Sequence, residues 1–194
     1  WRVDMVDVVV GSAEPVIYRG PVLSFTTEAF AYPMTNIIAK ASNSQPGMGP
    51  ANTVNGSGLD KNDGHSTDGS AMWLSTNAKP HWIQFEFDKV YALHELWVWN
   101  SNQLVEPILG FGAKSVTIEY SIDGATWTTL EGVPEFARAP GQADYAHDTV
   151  ISFGGVSAKC VKLTIESNWG GVAPSVGLSE VRFFYIPDRA STDE

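Results

Sequence analysis

Val116-Thr117-Ile118-Glu119-Tyr120-Ser121, then Ile122-Asp123-Gly124-Ala125 and Thr126-Trp127-Thr128, is the stretch that decides the architecture. Apolar Val116, Ile118 and Tyr120 alternate with Thr117, Glu119 and Ser121, the period of a strand with one buried face. Asp123-Gly124 is a hairpin signal, because Asp and Gly tolerate the positive φ that tight turns between strands demand. The same alternation recurs on both sides. Trp82-Ile83-Gln84-Phe85-Glu86-Phe87 puts Ile83, Phe85 and Phe87 on one face. Val161-Lys162-Leu163-Thr164-Ile165-Glu166 repeats the pattern, and Glu180-Val181-Arg182-Phe183-Phe184-Tyr185 ends it before Pro187. Leu93 to Trp99 is apolar on both faces, as in a central strand. No segment carries a helical period of useful length and no internal repeat appears. Short alternating segments separated by turns predict an all-β, antiparallel sandwich.

Composition agrees. Of 194 residues, 43% are hydrophobic and 18% charged, enough apolar material for a full core. Twelve basic residues against 22 acidic give a net charge of −10. Lys and Arg are scattered singly, so nucleic acid and anionic membranes are not expected as partners, and a neutral ligand is favoured. The single Cys160 cannot form an internal disulfide and sits in an alternating segment, where it reads as a small buried hydrophobe. No apolar run approaches the roughly 18 residues of a membrane span. The chain opens on Trp1 in mid-pattern, without a leader, so a longer precursor is expected.

Residues 1–28 read differently. Trp1-Arg2-Val3-Asp4 and Gly20-Pro21-Val22-Leu23-Ser24-Phe25-Thr26-Thr27 flank a loop and predict a β-hairpin that resembles the last two strands of a fibronectin type III-like module. It is too small to fold alone and is expected to dock on the main domain or belong to a neighbour. Residues 29–187 form the main domain, and 188–194 a polar tail.

From about Tyr32 to Pro187 a series of pieces occurs in order: Ala41-Ser42-Asn43-Ser44, Asn52-Thr53-Val54-Asn55-Gly56, Met72-Trp73-Leu74-Ser75, His81 to Phe87, Thr117 to Trp127, Val161 to Thr164, and Gly177-Leu178-Ser179-Glu180-Val181. Together they resemble a discoidin domain, the coagulation factor V/VIII C-type domain, and are similar to family-32 carbohydrate-binding modules. The resemblance implies a galactose-binding-like jelly roll of about eight strands. It implies a secreted or cell-surface location, a multidomain parent, a monomeric unit and a non-catalytic role in tethering that parent to a glycan. Adhesion to protein or lipid, or a structural spacer, is the alternative, since the fold carries several functions.

It also implies a structural Ca²⁺. Asn52, Asn55, Asp60, Asp63 and Ser66 lie in a Gly-rich loop and offer the hard oxygens that Ca²⁺ takes. Glu180 of Ser-Glu-Val is implied as the closing ligand. Asn55 stands where the family has Asp, which weakens the set, and Asn55-Gly56-Ser57 is a glycosylation sequon that a buried metal role would exclude. The bland reading is a loop pinned by Asn side chains.

For a sugar, an exposed aromatic beside polar hydrogen-bonders is the expected site chemistry. Trp169, in Asn168-Trp169-Gly170-Gly171, is the expected platform, set against an equal case for loop packing. Asn100, Asn102 and Glu106 lie in the loop after Leu93–Trp99. His65 adjoins the cation loop and could bind sugar hydroxyls, against the favoured reading of a fastener for that loop; Arg138 and Tyr145 fall in an irregular stretch, with ordinary surface packing as their favoured alternative. Trp73, Trp82, Trp97 and Trp127 are expected in the core, with Trp99 at a strand end. With four His and no nucleophile or phosphate motif, an enzyme is not expected; Glu106 with Glu135 or Asp144 is the only carboxylate pairing open to glycoside hydrolysis.

Overall fold

The computed structural model describes residues 4–7, 16–22 and 30–187, which fall into two units, Trp1–Phe30 and Ala31–Glu194. In the first unit β1 (Asp4–Asp7) pairs antiparallel with β2 (Val16–Arg19), Asp4 opposite Arg19. Of the predicted strand residues that are described, Asp4 lies in β1 while Gly20, Pro21 and Val22 follow the end of β2. Val16-Ile17-Tyr18 supplies β-branched and aromatic residues, whereas Gly20-Pro21 offers low strand propensity and one missing N–H. Trp1–Val3, residues 23–29 and the predicted tail 188–194 lie outside the described residues.

The second unit contains β3 (Tyr32–Pro33), β4 (Ile38–Ala41), β5 (Trp73–Leu74), β6 (Trp82–Asn100), β7 (Val116–Ser121), β8 (Thr128–Thr129), β9 (Thr149–Ile165) and β10 (Gly177–Ile186). They form an antiparallel β-sandwich in the order β3-β10-β6-β9-β7-β8, with β4 on β6 and β5 on β10. Among the described residues the loops carry one short α-helix, α1 (Glu106–Leu109), and two 3-10 turns, Pro50–Thr53 and Gly69–Ala71.

Two long strands make the sandwich. The sequence predicts Trp82–Phe87 and Leu93–Trp99 as separate strands; they are one strand, β6, whose register shifts between Glu86 and Tyr91 and again between Leu93 and Glu95. Such irregularities bend a strand. The start of β6 pairs with β4 and with the end of β9, while its end pairs with β10 and with the start of β9. Strand β9 turns likewise, at Gly154 and Gly155, both in the left-handed region (φ 61° and 83°). Each long strand thus serves both layers.

The predicted inward residues fill the space between the layers. Ile83, Phe85, Phe87, Ile118, Val161, Leu163, Val181 and Phe183 are buried. Phe183 on β10 meets Phe85 and Phe87 on β6 edge-on, each at 5.2 Å between centroids. Trp73 and Trp99 are fully buried, Cys160 is buried and unbridged, and Trp82, Trp97 and Trp127 are half-buried at the flanks. Lys162 covers the Trp127 ring at 4.6 Å. The Asp123-Gly124 hairpin forms as predicted: Asp123 Oδ1 accepts from the N–H of Ala125 and Thr126, and Gly124 takes φ 75°.

Candidate functional site

Because β6 and β9 fold back, both ends of each arrive at one pole. A short chain of contacts connects them. The Ile165 N–H donates to the His81 carbonyl just before β6, Ala113 bridges Asn168, and the Asn100 amide at the end of β6 donates to the Ala113 carbonyl. The loops 42–72, 75–81, 101–115, 130–148 and 166–176 therefore share this pole. Trp169 and Asn100 lie here together: the Trp169 backbone N–H donates to the Gly112 carbonyl, and a Cβ on Gly112 would lie 3.0 Å from Asn100 Oδ1.

Most of the polar residues predicted to meet a sugar hold this pole together instead. Asn100 is fully buried and donates to the carbonyls of Ala113 and Ala137 while accepting from Ser101. Asn102, also fully buried, donates to the carbonyls of Ser66 and Gln142 and accepts from the N–H of Gly141. Their amides satisfy loop backbone that no strand pairs, the general fate of buried polar groups. Tyr145 is buried and donates to Asp148 while accepting from the Asn100 N–H. These three are corrected from ligand contacts to braces.

Glu106 is a brace as well. Its carboxylate is buried and accepts from the N–H groups of Phe111 and Gly112, and burial pushes its pKa up to about 7 against those two hydrogen bonds. Exposed Arg138 donates to the Glu106 carbonyl at 2.6 Å, fixing α1 from outside. Glu135, exposed, pairs with Lys114 at 3.7 Å, while Glu106 is buried. His65 is buried with Nδ1 2.8 Å from the Ser66 carbonyl, which places the ring proton there; burial depresses its pKa and keeps it neutral.

Trp169 is half-buried. Its indole N–H donates to the Phe136 carbonyl at 3.0 Å and Lys114 Nζ lies 4.9 Å from its ring centroid. The ring is clamped at its edge and capped by a cation.

Most side chains predicted to hold Ca²⁺ have hydrogen-bond or ion-pair partners of their own. Asp63 (φ 61°) makes a two-pronged pair with Arg182, both bonds 2.8 Å, which holds its carboxyl below the usual range. Asp60 accepts from Asn62 and Gly64 within its own turn, Asn55 from Ser57, and Ser66 Oγ from Asp68. Asn52 uses its amide N–H groups on the carbonyls of Ser70 and Met72. Glu180 is different: buried on β10, it accepts one N–H, from Gly56, and burial raises its pKa to about 8. Among the described residues no three His, Cys, Asp or Glu side chains gather as a metal centre. Of the six, Asp60, Asp63, Asn55, Asn52 and Ser66 have side chains engaged in local hydrogen bonds or an ion pair, while Glu180 reaches the 49–57 turn through Gly56.

Sequence reasoning passed over the concave part of the pole. A cleft of about 280 Å³ runs between Lys79 and the 166–176 loop, with Lys79, His81, Glu166, Val172 and Pro174 along it. Asn168 shapes its wall, donating to the carbonyls of Ala173 and Ser175 and accepting from Gly171. His81 figures in the sequence only at the head of the His81–Phe87 strand motif, and only the fold shows that it adjoins this loop.

An antiparallel β-sandwich with bent, shared strands and its loops gathered at one pole is the galactose-binding-like class. The F5/8 type C domain matches residues 38–180, and the chain belongs to that family. Solved structures of the same fold are similar at low identity. The F5/8 type C domain of a Bacteroides fragilis protein has a TM-score of 0.61 and 14% identity, over 83% of this chain and 100% of that one. The family 32 carbohydrate-binding module of a Clostridium perfringens protein, in complex with galactose, has a TM-score of 0.53 and 12% identity, over 76% and 93%. A family 89 glycoside hydrolase from C. perfringens has a TM-score of 0.55 and 14% identity over 82% of this chain, which spans only 15% of the hydrolase. No curated protein sequence matches the chain.

Proposed function

We propose that this domain is a non-catalytic carbohydrate-binding module that holds a larger secreted protein on a neutral glycan. The observation that carries the reading is the cleft at the loop pole, in a fold whose C. perfringens relative was solved with galactose. A shallow site of this size gives weak affinity, with Kd on the order of 10 µM to 1 mM, and linked modules strengthen it through avidity. A glycan array with affinity gels of neutral and uronate polysaccharides tests the proposal. Retention on neutral glycans supports it, and retention on none overturns it.

The same reading includes a structural Ca²⁺ at Glu180 with oxygens of the 49–57 turn. Its support is a buried carboxyl with a single N–H partner, its charge offset only in part by Arg182, whose own guanidinium is paired with Asp63.

One observation favours a second reading, adhesion to a lipid or apolar partner. Leu104, Ile108 and Val172 are 72%, 82% and 89% exposed on the two loops joined at Gly110 and Gly170. Binding to neutral vesicles without glycan retention would select this alternative.

A further inference from the structure

His81 is 4% exposed, yet neither ring nitrogen has a hydrogen-bond partner. Leaving a buried polar group unpaired costs about 1–3 kcal/mol, so an imidazole in this state calls for a partner. Its backbone is held by the Ile165 N–H at 2.9 Å, and the Pro174 carbonyl faces the ring without a well-formed bond. Two hollows meet at this residue. One is the cleft of about 280 Å³ beneath the 166–176 loop; the other, about 360 Å³, is lined by Pro80, Thr164 and Ile165 and shares Lys79 and Glu166.

The chemistry around the ring is selective. Burial and the nearby Lys79 ammonium depress the His81 pKa, so the ring is neutral at pH 7, with one N–H donor and one bare nitrogen acceptor. A hydroxyl can accept from the N–H or donate to the bare nitrogen; the two nitrogens point apart, so each needs its own partner. Lys79 only donates and Glu166 only accepts, so the two complement a neighbouring hydroxyl, and their charges cancel. Asn168 has its amide committed to the loop and is not available. Val172, Ala173 and Pro174 supply an apolar wall for C–H groups. The volume lies just below the range of drug-sized sites and suits one sugar ring.

We propose that this cleft is a subsite for one uncharged sugar residue, recognised through adjacent hydroxyls, with His81 as the residue that determines specificity. It rests on the carbohydrate-binding reading and assigns that reading its polar contacts. A carboxylate-bearing sugar is disfavoured, because the flanking Lys79 and Glu166 charges cancel and leave nothing to offset desolvation of its acid.

The test is nuclear magnetic resonance on the full chain with ¹⁵N-labelled histidine, titrated with galactose, N-acetylgalactosamine, glucose and galacturonate. Movement of the His81 ring resonances with at least one neutral sugar, and a tenfold weaker response to galacturonate, is expected. His81→Phe keeps the ring shape and removes both nitrogens; it is expected to lower neutral-sugar affinity at least tenfold without lowering Tm. Should a sugar bind while His81 resonances stay fixed, or should His81→Phe bind equally well, the subsite is overturned and the carbohydrate-binding reading stands. Equal response to galacturonate overturns the selectivity. If no neutral sugar and no arrayed glycan binds, both fall. If His81→Phe does not fold, the resonances of the unaltered chain decide.

Discussion

The Gly170 N–H donates to the Gly110 carbonyl at 2.8 Å, and neither glycine has room for a side chain. A Cβ on Gly170 would lie 1.7 Å from the Leu109 carbonyl oxygen, and one on Gly110 2.3 Å from the Gly170 nitrogen. Gly110 also ends α1 in the left-handed region, at φ 61°. Two loops distant in sequence are thus joined backbone to backbone.

Gly170→Ala is therefore expected to destabilise the domain by about 2–4 kcal/mol, since a backbone atom, not a flexible side chain, blocks the methyl. For a domain of this size, that lowers Tm by roughly 4–16 °C. Gly49→Ala, at an ordinary φ with open space around it, should change stability by less than about 0.5 kcal/mol. Thermal unfolding of both variants checks the contrast; equal effects would contradict the interlocking.

Glu106 gives stability a pH dependence of definite sign. Its folded pKa, about 7, lies above the ordinary 4.5. The folded state then binds the proton more tightly than the unfolded chain does. Its stabilising share is full below pH 4.5 and is lost as pH rises through about 7. The difference corresponds to about 3 kcal/mol. Urea unfolding from pH 4.5 to 8 should show a decline in the native chain relative to Glu106→Gln, which cannot titrate. Parallel profiles would show that the two N–H groups keep Glu106 ionised throughout.

The cation proposal predicts a higher Tm in Ca²⁺ than in EDTA, lost in Glu180→Gln. Metal analysis that finds no Ca²⁺, with identical melts, removes it. Asp60→Asn should leave the Ca²⁺ response unchanged, because that carboxylate serves its own turn.

Leu104→Ser with Ile108→Ser touches exposed side chains, so Tm should shift by no more than about 2 °C. Glycan retention should be unaffected and any binding to neutral vesicles abolished. Loss of glycan retention would shift the sugar contact to this patch.

What the sequence disclosed was whatever depends on period. Ile83, Phe85, Phe87 and Ile118 alternate because a half-buried strand requires it, and all four are buried. The joining of Trp82–Phe87 to Leu93–Trp99 was not legible, because Asp88-Lys89 between them is polar and exposed and reads as a break. The first half of β9 was hidden similarly beside the irregular stretch before Thr149. Site residues fared less well. Residue type announces hydrogen-bonding capacity, not its partner: Asn100 and Asn102 spend theirs on loops up to 40 residues away. His81 drew notice only as part of a strand motif, and its unpaired ring depends on a loop some 90 positions later, which no local pattern encodes.

The doubling back of β6 and β9 has an evolutionary corollary. Insertions in the loops of the pole need not disturb the bends of the long strands, since those are built from separate residues around Glu86–Tyr91 and Gly154–Gly155. Selection can remodel these loops while inheriting the scaffold unchanged, but it has less freedom at the braced points, such as Asn102 and Glu106, that tie several of them together.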